Sequence, residues 1–91
     1  MKDAEIVTVK RLRRFSDAAP QQWTGETDDG RFLYIRYWPR WFVVRIGATP
    51  NDAIGGTDLV NDEDFAGIGD SISDRVMQKA ASKAVRFSIA A

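Results

Sequence analysis

Residues 31–46 read Arg-Phe-Leu-Tyr-Ile-Arg-Tyr-Trp-Pro-Arg-Trp-Phe-Val-Val-Arg-Ile, six aromatics and four arginines in sixteen positions. Two runs of β-favouring side chains, 31–37 and 42–46, flank Trp38-Pro39-Arg40-Trp41. Proline's fixed φ suits the second position of a type I turn, so the stretch reads as a β-hairpin. A two-residue turn there sets Tyr37 opposite Phe42, Ile35 opposite Val44 and Leu33 opposite Ile46. Alternation then collects Leu33, Ile35, Tyr37, Phe42, Val44 and Ile46 on one face, which is a core face. The other face carries Phe32, Tyr34, Arg36, Val43 and Arg45, neither wholly apolar nor simply solvated. Tyr34 and Arg45 fall as cross-strand neighbours, placed for a cation–π contact.

Upstream, Gln22–Thr27 reads as a short strand that the Asp28-Asp29-Gly30 turn joins to the hairpin. Gly30 takes the positive-φ position of a bulged three-residue loop. Pairing Thr27 with Arg31 puts Trp23 on the face of Leu33 and Ile35, and sets Gln22, Thr24 and Glu26 beside Phe32, Tyr34 and Arg36. Both turns agree about which side is buried. The centre of the chain is thus expected to be a three-stranded antiparallel β-meander over residues 22–47. Asp28 and Asp29 resemble an acid/base pair, but turn chemistry accounts for them.

The two ends read as helices. Residues 5–9, Glu-Ile-Val-Thr-Val, are mostly β-branched and suit a strand or an extended lead-in. Thr8 can cap a helix over 9–18, with Val9, Leu12, Phe15 and Ala19 on one stripe and Lys10, Arg11, Arg13 and Arg14 outside. Pro20 would stop it. Near the other end, Ser71-Ile72-Ser73-Asp74 has capping-box form. A helix over 72–86 follows, with Ile72, Val76, Met77, Ala80, Ala81, Ala84 and Phe87 as its apolar stripe. It is expected to pack on the meander's inner face, with Arg75, Lys79, Lys83 and Arg86 opposite and a short strand or docked tail over 87–89. The resulting class is α+β, one domain over residues 1–91.

Residues 48–70 are harder to place. Thr49 and Pro50 suit the N-cap and first position of a short helix. Asp58, Asp62, Glu63 and Asp64 invite a calcium site, but their spacing is not that of an EF-hand loop and its closing glutamate is missing. Gly67-Ile68-Gly69 lacks the lysine-bearing pattern of a phosphate-binding loop. A solvated acidic loop, or a contact surface for a basic partner, is expected instead.

Composition excludes more than it selects. The 91 residues contain neither cysteine nor histidine. Within this chain that removes disulfides, thiolate nucleophiles, Cys/His zinc sites and imidazole proton transfer. No cofactor, no metal and no catalytic set is expected, and the chain reads as a non-enzyme. No apolar run approaches the roughly 18 residues of a membrane span and no signal peptide opens the chain, so no membrane partner and a cytoplasmic location are expected. Net charge is zero. Yet residues 1–46 hold nine basic and six acidic side chains, and residues 47–91 hold four basic and seven acidic. Such a dipolar surface orients a partner without naming it.

A helix, three antiparallel strands and a closing helix is an element order similar to that of the double-stranded-RNA-binding domain. Gly67-Ile68-Gly69-Asp70-Ser71, followed by Ala80-Ala81 and Ala84, resembles that family's Gly-rich lead and alanine-rich second helix. The resemblance implies lysines at the start of that helix to hold phosphates, but Ile72, Ser73 and Asp74 stand there. The family's loop histidine has no counterpart in a chain without histidine. The phosphate-holding residues are not carried over, and no family is assigned.

The leading functional expectation is a small protein-binding module. Trp, Tyr and Arg dominate interface hot spots, and the contact residues would be Phe32, Tyr34, Arg36, Trp38, Arg40, Trp41 and Arg45. An inhibitor or adaptor fits this character, as does a phage-encoded, anti-CRISPR-like protein, by size and character only. The alternative is a nucleic-acid-binding protein, with Lys10, Arg11, Arg13 and Arg14 on phosphates and the sheet aromatics as stacking surfaces. A homodimer that covers the outer face is a further arrangement.

Overall fold

The computed structural model describes residues 6–17, 20–65 and 72–88. Its elements are β1 (Val7–Ser16), β2 (Gln21–Thr27), β3 (Phe32–Trp38), β4 (Trp41–Gly47), α1 (Pro50–Ile54), β5 (Thr57–Asp62), α2 (Asp74–Ala81) and β6 (Val85–Phe87). The six strands form one sheet in the order β5-β4-β3-β2-β1-β6, antiparallel except for the parallel β1–β6 pair. This overturns the expected α+β class: the protein is mostly β, a mixed half-barrel sheet with only short helices. The meander expected over 22–47 is present as β2–β4, at the centre of that larger sheet.

The meander's register follows from its side chains and turns. Tyr37 faces Phe42, Ile35 faces Val44 and Leu33 faces Ile46. Trp23 faces Ile35, so all these side chains share the concave face. At the β2–β3 turn the Thr27 N–H donates to the Arg31 carbonyl at 2.8 Å, and Gly30 holds φ 87°. The Thr27 hydroxyl accepts the Arg31 N–H at 2.8 Å and donates to Asp29. Asp29 in turn binds the Arg31 guanidinium, and that bond, then the Thr27 hydroxyl, holds its carboxyl well below the usual range. The aspartates at this turn are turn residues.

The helix expected over 9–18 is not formed, because Val7–Ser16 is a strand with bulges; Ala18 and Ala19 lie outside the described residues. Val9 faces Thr27 but Arg11 faces Glu26, so Lys10 is inserted, and a second shift lies between Arg14 and Ser16. Each inserted residue turns a two-residue repeat into a three-residue one. Val9 and Leu12 therefore share the concave side at a spacing that mimics a helical stripe. Lys10 and Arg11 together oppose Glu26, and both pair with it, at 3.6 and 2.9 Å.

The helix expected over 72–86 ends at Ala81. Its N-cap is Ser73, whose hydroxyl accepts the Val76 N–H at 3.2 Å, while Ser71 lies outside the described residues. Met77 and Ala81 are buried but Val76 is 43% exposed, so the packed stripe is narrower than the sequence suggests. Beyond a turn at Ser82-Lys83, Val85–Phe87 pairs with β1. The Val7 N–H reaches the Ala84 carbonyl at 3.0 Å and the Ser88 N–H reaches the Val9 carbonyl at 2.8 Å. Strand propensity in Val85–Phe87 and the free backbone groups of β1 outcompete further helix. The element order thus departs from the double-stranded-RNA-binding arrangement at both ends.

Ile72, Met77, Ala81 and Ala84 pack on the concave sheet face, against a core that includes Trp23, Tyr37 and Phe42. Burying each of those three rings contributes on the order of 2 kcal/mol or more. Two β2 side chains position α2. The buried Gln21 amide donates to the Ile72 carbonyl at 3.1 Å and accepts the Ile72 N–H at 2.6 Å. The Trp23 indole N–H donates to Asp74 at 2.9 Å. Gln21→Leu would leave both Ile72 backbone groups unpaired in the interior. We expect it to lower unfolding free energy by roughly 2–4 kcal/mol in a denaturant titration, and a change below about 0.5 kcal/mol would contradict this anchoring role.

Candidate functional site

The strand pairings lay the convex face out in rows. One row crosses from β1 to β5 as Arg13, Thr24, Tyr34, Arg45 and Asp58. Toward the hairpin tip the next row is Gln22, Arg36, Val43 and Asn61. On the far side lie Arg11, Glu26, Phe32 and Gly47. Trp38 and Trp41 pair across the tip itself. All seven residues selected from sequence, Phe32, Tyr34, Arg36, Trp38, Arg40, Trp41 and Arg45, are therefore on this face or its turn.

They are not equally available. Tyr34 is only 5% exposed and donates its hydroxyl to Gln22 at 2.7 Å, and this burial raises its pKa against the pull of Arg36 and Arg45. Arg45 does not engage Tyr34 in the way the sequence suggests. It is bound to Asp58 at 2.9 Å and to the Ile54 carbonyl at 3.0 Å, which ties α1 down on this side of β4. That bond is the main cause of the lowered pKa of Asp58. Phe32 is half-buried, and Val43 is as enclosed as Tyr34. Part of the convex face is therefore a second, smaller packing layer.

The hairpin tip differs. Trp38 is 45% exposed. Trp41 is half-buried, its indole N–H donating to Asn61 at 2.8 Å, with the Arg36 guanidinium 5.5 Å above its ring. The cation–π pair of this face is Arg36–Trp41. Arg36 Nε is shut off from solvent with no hydrogen-bond acceptor. The turn is not type I, since Arg40 has φ 71° where that type needs a negative value. An L-residue with a side chain is strained there by about 1–2 kcal/mol. The Arg40 carbonyl accepts the Phe65 N–H at 3.1 Å, and the Phe65 ring packs against Tyr37 and Phe42. The turn thus serves the core through its backbone and leaves the Arg40 side chain exposed.

The second set from sequence, Lys10, Arg11, Arg13 and Arg14, is divided. Lys10, Arg11 and Arg13 join the convex face. Arg14 lies opposite Trp23 on the concave side, 3.1 Å from Asp17 and 3.6 Å from Asp74. Sequence reading missed the residues that hold these side chains in place: Glu26 for Lys10 and Arg11, Asp58 for Arg45, and Asn61 for the Trp41 indole. Cross-strand register between distant segments brings Glu26 to Arg11 and Asp58 to Arg45, and no local spacing in the sequence marks it. Among the described residues no acidic, histidine or cysteine cluster is arranged to hold a metal ion. Asp58 is engaged by Arg45 and Asn61, and Asp62 accepts the Asp64 N–H. No described helix is long and apolar enough to cross a membrane. No family model, curated protein or solved structure matches the chain.

These placements separate structural from spare side chains. Tyr34→Ala should cost about 3 kcal/mol as a buried aromatic truncation, whereas Trp38→Ala should stay within about 0.5 kcal/mol. Arg40→Gly should stabilise by about 1 kcal/mol by relieving the positive φ. Chemical denaturation of the three variants checks the order; a stability loss for Arg40→Gly would show that the arginine side chain holds the turn.

Proposed function

We propose that the chain is a non-enzymatic protein-binding module whose contact surface is the β3–β4 tip and the convex face beside it. One observation carries the reading: an exposed tryptophan stands on a turn that keeps an arginine at φ 71°. The fold uses that turn's backbone, and both side chains leave surface exposed there. Strain retained at an exposed position is characteristic of contact and switch regions, and Trp with Arg is the composition of binding hot spots. Arg36, stacked on Trp41, adds a guanidinium cation to the same patch. An inhibitor or adaptor role, anti-CRISPR-like included, is a narrower form of this reading and rests on size and character alone. Action in the cytoplasm belongs to the same proposal.

Nucleic-acid binding is the second reading, favoured by the gathering of Arg11 and Arg13 on the face that carries Phe32 and Arg36. Against it, Glu26 already neutralises Lys10 and Arg11, and buried Tyr34 offers no platform for a base. Capture of partners from nuclease-treated host extract, washed in high salt, separates the two. The Trp38→Ala/Arg40→Ala double variant should retain at least about tenfold less of the captured protein than the parent chain. Val76→Ala, on the exposed side of α2, should retain as much as the parent. Equal retention by the tip variant would overturn the reading. Recovery of nucleic acid alone, lost in salt and with Arg11→Ala/Arg13→Ala, would establish the second.

A further inference from the structure

Away from the tip, the convex face has a shallow depression of about 240 Å³ lined by Arg11, Arg13, Thr24, Glu26, Phe32 and Pro50, with the backbone around Gly25. Strand order sets Arg11 and Arg13 on the β1 side and Phe32 with Pro50 on the other. Gly25 lies in β2 beneath the depression, and a Cβ there would face the concave side, 3.2 Å from Val9 Cγ1 and 3.3 Å from the Arg11 carbonyl.

Size and charge together select an occupant. Sites for small molecules enclose about 300–1,000 Å³; an open hollow smaller than that takes a single side chain. Its cations are only partly answered. Arg11 is bound to Glu26 yet its side chain is 74% exposed. Arg13 is exposed and has no hydrogen bond or ion pair with any described residue. The two arginines are two residues apart on a regular part of β1. That separation is about 6.8 Å, the repeat of alternate side chains in an extended peptide.

We infer that this depression takes one apolar side chain of an acidic, extended segment of the partner protein, whose carboxylates at alternate positions meet Arg13 and Arg11. The inference rests on the protein-binding reading and extends the contact surface from the tip across β3 and β2 to β1. The electrostatic match steers the segment, and the buried side chain fixes its register.

The test uses the full chain, labelled with ¹⁵N, and two synthetic ten-residue extended peptides. One has glutamates at alternate positions and a central leucine; the other has lysines in place of the glutamates. The acidic peptide should shift the amide signals of Arg13, Thr24, Gly25 and Phe32, and the basic one should not. Arg13→Glu should weaken that binding at least about tenfold. Thr24→Tyr, which fills the hollow from a half-exposed strand position, should do the same without lowering the melting temperature. No shift, shifts confined to the tip, or preference for a ten-nucleotide single strand would overturn the inference. So would signals that move with protein concentration alone, which would mark a second copy of the chain as the occupant. Partner capture by the same variants separates the two proposals. Loss with Trp38→Ala/Arg40→Ala but not with Arg13→Glu or Thr24→Tyr sinks the groove and keeps the tip; loss with none of them sinks both.

Discussion

The buried amide of Gln21, paired both ways with the backbone of Ile72, is the contact on which the fold's closure depends. A coiled sheet has a concave apolar face that must be covered, and here an eight-residue helix and the short segments flanking it do much of the covering. So short a helix has little stability of its own. It must be placed by tertiary contacts, and Gln21 and Trp23 on β2 supply directional ones at its start. Once Ile72 and Asp74 are fixed, Met77 and Ala81 fall on the core, and the chain leaves α2 where β6 can pair with β1.

This economy explains the division between the two faces. The concave side uses nearly every apolar residue in register. On the convex side, polar and aromatic residues form a thinner layer, held by Tyr34–Gln22, Arg45–Asp58 and the Glu26 pairs. The pKa of Glu26 is lowered chiefly by its hydrogen bond with Arg11, so its pairs extend further into acidic solution than an unshifted glutamate's would. Among the described strand residues of this face, Trp38 at the tip and Arg13 on β1 are exposed and have no such pairing. Those exposed positions, rather than aromatic content as such, direct attention to the tip and the β1 side as contact surface.

Much of the meander was legible in the sequence because turn chemistry and alternation agreed. Gly30 took its positive φ, Pro39 marked the second turn, and the pairing of Leu33 with Ile46 followed by counting. The N-terminal strand was misread because one inserted residue at Lys10 converts alternation into a three-residue spacing, which is also a helical signal. The C-terminal helix was overextended because Ala84 and Phe87 fit its stripe, though they reach the core through a turn and a strand. β5 escaped notice since an edge strand with one buried residue, Val60, carries almost no pattern. Of the candidate site, the choice of face was legible. Which side chains on it were free was not, since that depends on Gln22, Glu26, Asp58 and Asn61, partners set by register between distant segments. The gathering of Arg11 and Arg13 with Phe32 was hidden by the same bulge.

The most direct test of the central claim places a photo-reactive benzoylphenylalanine at position 38 and, in a separate chain, at position 76. The two sites are comparably exposed, at 45% and 43%, but lie on the convex tip and on α2 respectively. After irradiation in host extract, the account predicts a discrete protein adduct from position 38 and none from position 76. An adduct from position 76 alone would place the contact surface on α2 and contradict the assignment of the β3–β4 tip.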